Sequence, residues 1–176
     1  MPDSAQFESE RAKPKAMHVF SSNGYNMTGC GDIMTNTKME ILGWFVANGA
    51  DLKCKNDVKE TILHTVANKA PLCIMEWIFA QENGTLGDAL LTKKTDSGET
   101  PLHTACSQEF NEPIIRYLLD KNPKLVHARC DSKKTPLFNA VDSMRLAVIK
   151  LLMEYGASFD VKNEEKMYPL HYCECC

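Results

Sequence analysis

The feature that most constrains the fold of this chain is a short motif that returns at a nearly constant interval. Residues 100–105 read Thr-Pro-Leu-His-Thr-Ala, and residues 135–140 read Thr-Pro-Leu-Phe-Asn-Ala. Related copies begin at Thr61 and Tyr168, so successive copies lie 39, 35 and 33 residues apart, and one further period before Thr61 ends at Thr28. A period of this length is typical of repeat architectures, in which each unit is one supersecondary motif that stacks on the next.

The motif reads as the start of a helix. A threonine hydroxyl can accept a backbone N–H group that the first helical turn leaves unpaired. Proline directly after the threonine has its φ angle preset for a helix, and the N–H that it lacks would be unpaired there in any case. The motif predicts a short first helix from Pro101 to about residue 108 and from Pro136 to about residue 143. A longer apolar second helix follows, as in residues 114–119 and 146–152.

A second mark keeps the same register. Residues 44–50 align with residues 151–157, and each ends in Gly-Ala, which predicts that a helix stops at a glycine. Asn56 and Asn163 follow, each five residues before the next motif. Two independent marks therefore support the repeat.

The repeated motif resembles the Thr-Pro-Leu-His-x-Ala signature of ankyrin repeats. The resemblance implies an all-α fold, a solenoid of stacked helix-turn-helix units with β-turn or hairpin tips. It also implies that the signature histidine bonds locally and ties one unit's turn to the next. We expect a flexible lead-in over residues 1–20 and a repeat domain over residues 21–176. The units then lie near residues 28–60, 61–99, 100–134 and 135–167, with a partial unit over residues 168–176.

Departures from the regular period predict local irregularities. The second unit carries about six extra residues, which predict an extended loop around residues 83–91, and the third unit runs long near residues 109–113. The partial unit has a first-helix start and no second helix, so a frayed end over residues 168–176 is expected. A final turn that packs on the fourth unit is the alternative.

Composition is that of an ordinary globular domain, with 44% hydrophobic and 24% charged residues among 176. A formal net charge of −3 gives no support to a nucleic-acid or membrane surface, so neither is expected as a partner. The N-terminal residues are polar, unlike a secretory signal. We expect a cytoplasmic protein, with the nucleus also open, and reduced thiols. Cys73 and Cys106 fall in apolar helical patterns and are expected to be buried.

No arrangement of side chains predicts catalysis. His64, His103 and His171 all occupy the fourth position of the signature, so a structural role is favoured over a metal site or a catalytic base. At the C-terminus, Cys173, Cys175 and Cys176 match neither the spacing of a zinc site nor a prenylation box, and incidental thiols are favoured. We therefore predict no enzymatic activity, no cofactor and no metal.

Ankyrin arrays present their tips and first helices as a concave protein-binding face, as the resemblance implies. We expect a monomeric, non-catalytic module that binds one or a few intracellular proteins. The candidate contact positions are those that the repeat does not specify, namely Lys59, Asn68, Lys69, Ser97, Gln108, Glu109, Lys133, Lys134, Asp142, Met144, Arg145 and Lys166. Acidic residues interleave with these lysines, which favours a mixed solvated surface over a basic ridge.

Two narrower alternatives remain open. The chain resembles short inhibitor-type ankyrin proteins, the I-kappa-B-like inhibitors of Rel-family transcription factors. It could instead be the ankyrin part of a larger scaffold or enzyme. Neither the partner nor the choice between inhibitor and adaptor follows from the residues.

Overall fold

The computed structural model describes residues 33–81, 85–109 and 111–174. The helices are α1 (Ile33–Ala47), α2 (Ile62–Lys69), α3 (Leu72–Ala80), α4 (Thr85–Leu91), α5 (Pro101–Cys106), α6 (Glu112–Lys121), α7 (Pro136–Asp142) and α8 (Leu146–Glu154). A 3-10 helix, Pro123–His127, follows α6, and a second 3-10 helix, Pro169–Glu174, ends the described chain. The described residues contain no strand, which confirms the all-α prediction.

The helices form two layers. The short helices α2, α5, α7 and the C-terminal 3-10 helix stack side by side, and α6 packs between α3 and α8 in the second layer. The pairs α2–α3, α5–α6 and α7–α8 are the helix-turn-helix units that the repeat predicts. Leu63, Leu102 and Leu137, the leucines of the motif, are fully buried. Since one helix pair cannot cover its own apolar surface, the stack of units forms the core.

The turns between units form a regular ladder of backbone hydrogen bonds. Within each tip, one N–H donates to the carbonyl four residues later, at distances of 3.0 to 3.1 Å: Asn56 to Glu60, Thr95 to Glu99, Cys130 to Lys134 and Asn163 to Met167. Between tips, N–H groups donate to the preceding unit: Asp96 to Val58, Asp131 to Ser97 and Glu164 to Ser132. These bonds place the four tips side by side.

The register marks of the sequence have local explanations. The Asn56 Oδ1 atom accepts the Glu60 N–H at 2.8 Å, and Asn163 Oδ1 accepts the Met167 N–H at 2.8 Å. Gly49 and Gly156 both adopt a left-handed φ, at 82° and 86°, and each lies two residues after the end of its helix, α1 or α8. Both predictions of register are therefore confirmed.

The second unit differs from its prediction, because helix α4 occupies the region where an extended loop was expected. Leu86, Leu90 and Leu91 lie on one face of α4 and are buried. Gly87 packs so close to the Phe79 ring of α3 that a β-carbon would overlap the ring. The apolar stripe of this insertion turns it into a helix that packs on its own unit.

Other boundaries also shift. Helices α5 and α7 end at Cys106 and Asp142, slightly before the expected residues 108 and 143. Residues 1–20 and the degenerate copy at Thr28 lie outside the described residues. In the first unit, α1 runs unbroken through residues 37–38, where the regular spacing of the repeat would place the turn between first and second helices.

The end of the described chain packs as a turn on the fourth unit. The C-terminal 3-10 helix contacts α7, and the Tyr172 ring meets the Phe138 ring edge-on at 5.5 Å. This arrangement agrees with the alternative in which the final turn packs on the fourth unit. The expected fraying of residues 168–176 stays a prediction for hydrogen exchange.

Gly98 gives a direct test of the tip ladder. Its φ is +76°, and a β-carbon there would lie 2.6 Å from the backbone nitrogen of Asp131 in the next tip. We expect Gly98→Ala to lower the free energy of unfolding by about 2 kcal/mol, through backbone strain and this overlap. Urea unfolding measures the change.

Gly43 supplies the matched control. It lies within α1, and a β-carbon there would meet nothing within 4 Å. Gly43→Ala is therefore expected to raise the free energy of unfolding by about 0.5 kcal/mol. Equal effects at the two glycines would contradict the assigned role of Gly98.

Candidate protein-interaction surface

The signature histidines tie each unit to the next. His64 Nδ1 accepts the backbone N–H of Thr61 at 3.1 Å, and His64 Nε2 lies 3.1 Å from the carbonyl oxygen of Glu99. His103 repeats the arrangement with Thr100 at 3.2 Å and with Lys134 at 3.2 Å. Because a carbonyl can only accept, Nε2 carries the proton in both rings.

These contacts leave the two rings no capacity for chemistry. Burial lowers the pKa of His64, and it lowers the pKa of His103 to about 4. Both rings are therefore neutral at pH 7, and each of their nitrogens has a partner. Their geometry agrees with the structural role expected from the sequence. His171 accepts the Tyr168 N–H in the same way at 3.1 Å.

The fourth unit has phenylalanine where the histidine would stand. Phe138 is buried against Tyr172, whose hydroxyl accepts a hydrogen bond from Asn163 Nδ2 at 3.0 Å. The Lys134 ammonium lies 4.6 Å from the centre of the Tyr172 ring. An aromatic contact thus replaces the histidine link at this interface.

Asn139, which carries no mark in the sequence pattern, joins the fourth unit to the third and to the last residue of the second. Its amide nitrogen lies 3.2 Å from each of three acceptors: Glu99 Oε1, the His103 carbonyl and Ser107 Oγ. Asn139 occupies the motif position that is Thr104 in the third unit. The residues that bond to Asn139 lie more than thirty residues away in sequence, so the motif around Asn139 does not predict these hydrogen bonds.

The tips carry one group of the predicted contact positions, which we call the tip row: Lys59, Ser97, Lys133 and Lys166. All four side chains are exposed, and the ladder of backbone bonds places them in adjacent units. The lysines adopt left-handed φ angles of 58°, 59° and 63°, at the position that Gly98 occupies in the second tip. The Lys59 ammonium lies 2.6 Å from Asp96 Oδ1, and this hydrogen bond raises the pKa of Lys59.

The ends of the first helices carry a second group, which we call the helix-end row: Asn68, Lys69, Gln108, Glu109, Asp142 and Met144. The Ser143 hydroxyl reaches the Ser107 carbonyl at 3.5 Å, and Asn111 bonds to the Ala67 carbonyl, so these segments lie next to one another. Met144 is 66% exposed, whereas Gln108 is half-buried. The side chain of Lys69 lies outside the described residues.

Two predicted contact positions are engaged within the stack instead. The Lys134 carbonyl accepts from His103 and from the Cys130 N–H, while its ammonium covers Tyr172. The Arg145 side chain is only 14% exposed and lies 3.6 Å from Glu112 Oε1. Both long side chains reach neighbouring elements, so they are poorly placed to meet a partner.

The surface also has a feature that the sequence analysis missed. Leu146 is 63% exposed and lies two residues after Met144. It begins the apolar run of α8. It lies about 200° around the helix from Val148, away from the buried side of Val148, Leu151 and Leu152, so the helical spacing of the run is the signal that indicates its exposure.

Further sites are absent from the part of the chain that the structure describes. No three His, Cys, Asp or Glu side chains there lie close enough together to hold a metal ion. None of the helices in residues 33–174 is long and apolar enough to cross a membrane. Cys73 and Cys106 are buried, as predicted.

The sequence matches the family described as ankyrin repeats (3 copies) over residues 33–122 and again over residues 74–163. The chain belongs to the ankyrin repeat family. Ankyrin repeats generally mediate protein–protein interaction, and the fold itself is non-catalytic.

Similar proteins are of several kinds. The chain is 27% identical, over 89% of its length, to a transient receptor potential cation channel subfamily A member 1 homolog of Caenorhabditis elegans. It is 24% identical over 73% of its length to a putative ankyrin repeat protein of Acanthamoeba polyphaga mimivirus. Over 32% of its length it is 41% identical to a serine/threonine-protein kinase of Arabidopsis thaliana. The matched segments span 11%, 16% and 13% of those three proteins, respectively.

The buried imidazoles make stability depend on pH. His103 has a folded pKa of about 4, below its ordinary value of 6.5, so the unfolded chain binds more protons between these values. The contribution of His103 to the free energy of unfolding is fully present above pH 6.5, and it decreases as the pH falls towards 4. Between pH 7.5 and pH 5 the contribution of His103 is expected to fall by about 2 kcal/mol.

The measurement is urea unfolding of the wild type and of His103→Gln at both pH values. His103→Gln removes the titrating group, so its stability should fall less with acid, by about 2 kcal/mol. An equal pH dependence in both proteins would show that His103 is not buried as a neutral ring.

Proposed function

We propose that this chain is a non-catalytic module that binds a protein partner through the tip row and the helix-end row. The observation that carries the proposal is the ladder of backbone hydrogen bonds between tips, which aligns exposed side chains from four successive units. A row of this kind offers a continuous surface, and the core does not specify its side chains. The general role of ankyrin repeats in protein interaction supports the same conclusion.

The backbone at the tips supports a role beyond folding. Lys59, Lys133 and Lys166 occupy left-handed conformations, which cost about 1 kcal/mol or more for a residue with a β-carbon. Glycine would avoid this cost, as Gly98 does. Lysine at three such positions is consistent with side chains that are needed at the surface.

The two rows suggest a division of roles in binding. Asp96, Asp131 and Glu164 lie in the same tips as the lysines of the tip row, so the mixed charges would orient a partner and speed its association more than they would strengthen affinity. Met144 supplies exposed apolar area of the kind that anchors an interface inside a polar rim.

The test compares two variants with the same change of charge. Lys133→Glu with Lys166→Glu alters the tip row, and Lys124→Glu with Lys150→Glu alters exposed lysines elsewhere. Proteins captured from a eukaryotic lysate by the wild type are identified by mass spectrometry. The tip variant should lose the partner, with its dissociation constant raised about tenfold or more, and the control should retain it.

Three results would count against this surface. A partner retained by the tip variant, with unchanged thermal unfolding, would place the binding site elsewhere. Equal losses in both variants would indicate nonspecific attraction to charge. A tip variant with a much lower unfolding midpoint would show that its effect comes from the fold.

The identity of the partner separates the narrower roles. Capture of a Rel-family transcription factor would support an I-kappa-B-like inhibitor, whereas any other defined partner would support an adaptor. The relatives described above include no I-kappa-B-like protein. The adaptor role is therefore the one we propose first.

A second candidate is that the chain acts as the ankyrin part of a larger scaffold or enzyme. The small shares of the channel homolog and the kinase that it spans favour this possibility. An antibody against residues 100–140 would test it by immunoblot of source tissue. A species far above 19.8 kDa would support it, and a single species at that mass would contradict it.

A further inference from the structure

A basic side chain occupies the same position in each of the four tips. The position lies six residues before the first residue of the motif, and we call its four residues the basic column: Lys55, Lys94, Arg129 and Lys162. All four side chains are exposed. Four cations at one repeat position form a charged surface that extends over successive units.

Neighbouring members of the basic column lie next to each other in space. The Lys94 ammonium donates a hydrogen bond to the Arg129 carbonyl at 2.7 Å, so a side chain of the second tip reaches the backbone of the third. The backbone hydrogen bonds between tips extend this arrangement to the first and fourth tips. Since helices that pack side by side lie about 8 to 10 Å apart, the column presents about one positive charge per 9 Å.

The basic column lies on the side of the tips that faces the short first helices. The Lys162 ammonium lies 4.9 Å from the centre of the Tyr168 ring, directly before the C-terminal 3-10 helix. Burial is the main cause of the lowered pKa of His103, and the positive charge of Lys94 lowers that pKa further. Cations that act on the signature histidines lie close to the first helices.

The acidic residues of the tips lie apart from the basic column. They occupy the position two residues later, at Asp57, Asp96, Asp131 and Glu164. The Asp96 carboxylate pairs with Lys59 of the preceding tip, and the Asp131 carboxylate lies against Gly98, which has the position of Lys59 in its own tip. These carboxylates therefore approach the tip row. No member of the basic column forms an ion pair within the described part of the chain.

The positive charge is strongest at the last two members of the column. Each of the first two tips carries a glutamate directly before the motif, Glu60 or Glu99. Burial lowers the pKa of His64, and the charges of both glutamates oppose this effect, so they lie on the same side of the tips as the column. In the third and fourth tips the glutamate position holds Lys134 and Met167.

An extended acidic segment fits the spacing of the column. A polyproline II helix has three residues per turn and rises about 3.1 Å per residue, so every third side chain points the same way at intervals of about 9 Å. In a β-strand, the side chains of one face recur at about 7 Å, which does not match the units. About ten residues in the polyproline II conformation reach from the first member of the column to the fourth.

Nucleic acid fits this surface less well. Duplex DNA carries one negative charge per about 1.7 Å, which is far denser than the charges of the column. The acidic residues of the tips and the formal net charge of −3 repel such a dense polyanion. A segment with one carboxylate per three residues matches the column charge for charge.

We propose that the basic column binds an acidic segment of a partner protein, extended as a polyproline II helix with an acidic residue at every third position. Its strongest contacts are with Arg129 and Lys162. The column shares no residue with the tip row or the helix-end row. The proposal therefore goes beyond the function proposed above, and its test can fail independently.

The first experiment tests the spacing of the charges with two labelled peptides and the full chain. One peptide contains four Glu-Pro-Pro repeats, and the other has the same composition with its four glutamates in succession. Fluorescence anisotropy gives both dissociation constants at about 0.1 M salt, where charges more than about 10 Å apart are largely screened. We expect the repeat peptide to bind about fivefold more tightly, because consecutive glutamates cannot reach all four units.

The second experiment tests the residues with the repeat peptide. Arg129→Gln with Lys162→Gln should raise its dissociation constant about tenfold. Lys124→Gln with Lys150→Gln removes the same charge from exposed lysines elsewhere and should change the constant by less than about twofold. Glutamine at the first two members of the column should raise it only about threefold, because glutamates already oppose those cations. Thermal unfolding midpoints check that each variant is folded.

Several results would overturn the proposal. Absence of binding, or equal binding of the two peptides, would show that the column does not recognise spaced carboxylates. Equal losses in the Arg129 and Lys162 variant and in the control would indicate nonspecific attraction to charge. A single-stranded oligonucleotide that displaces the peptide at a lower concentration than the unlabelled peptide does would assign the column to nucleic acid. A loss at the first two members as large as that at the last two would contradict the assigned contacts.

Discussion

The hydrogen bond from a signature histidine to the carbonyl before the next unit's threonine is the contact on which the stack depends. His103 accepts the N–H of its own Thr100 through one ring nitrogen and donates to the Lys134 carbonyl through the other. One buried ring thus fixes the start of its own helix and the position of the following unit. Since the His103 ring is fully buried, loss of the Lys134 carbonyl would leave the Nε2 proton of His103 without an acceptor, whereas the carbonyl itself also accepts the Cys130 N–H. These hydrogen bonds couple only adjacent units, so the free energy of unfolding of the stack is approximately a sum over its units and the interfaces between them.

The fourth unit shows that the same position tolerates a different chemistry. Phe138 cannot donate to a carbonyl, and the interface is held by its edge-on contact with Tyr172, which Lys134 covers from another side. This interface gains its free energy from apolar burial and ring geometry. The contact between Phe138 and Tyr172 takes the place of the buried imidazole that links the second and third units to their successors.

How much of this structure the sequence predicts depends on whether the determining contact is local. The helix starts at Thr61 and Thr100 and the glycine stops at Gly49 and Gly156 are set by residues within one turn, and all were predicted. The extra length of the second unit predicts a loop, whereas Leu86, Leu90 and Leu91 make the insertion helix α4, because they form an apolar stripe that packs on its own unit.

The candidate surface could also be predicted only where local residues determine it. Lys59, Lys133 and Lys166 are exposed because of their place in the motif. The Lys134 and Arg145 side chains instead contact Tyr172 and Glu112, which lie more than thirty residues away in sequence. Such distant contacts leave no mark on a single repeat. The sequence therefore identified the tips better than it identified which side chains remain available there.

The buried thiols have a practical consequence for the energetics of the stack. Cys73 lies in the second unit and Cys106 in the third, both enclosed by core residues, and burial raises the pKa of the Cys106 thiol. A thiol that is both neutral and enclosed reacts with an alkylating reagent only when its unit opens. The protein thus carries natural labels in neighbouring units, and their alkylation rates would report the opening free energy of each unit separately.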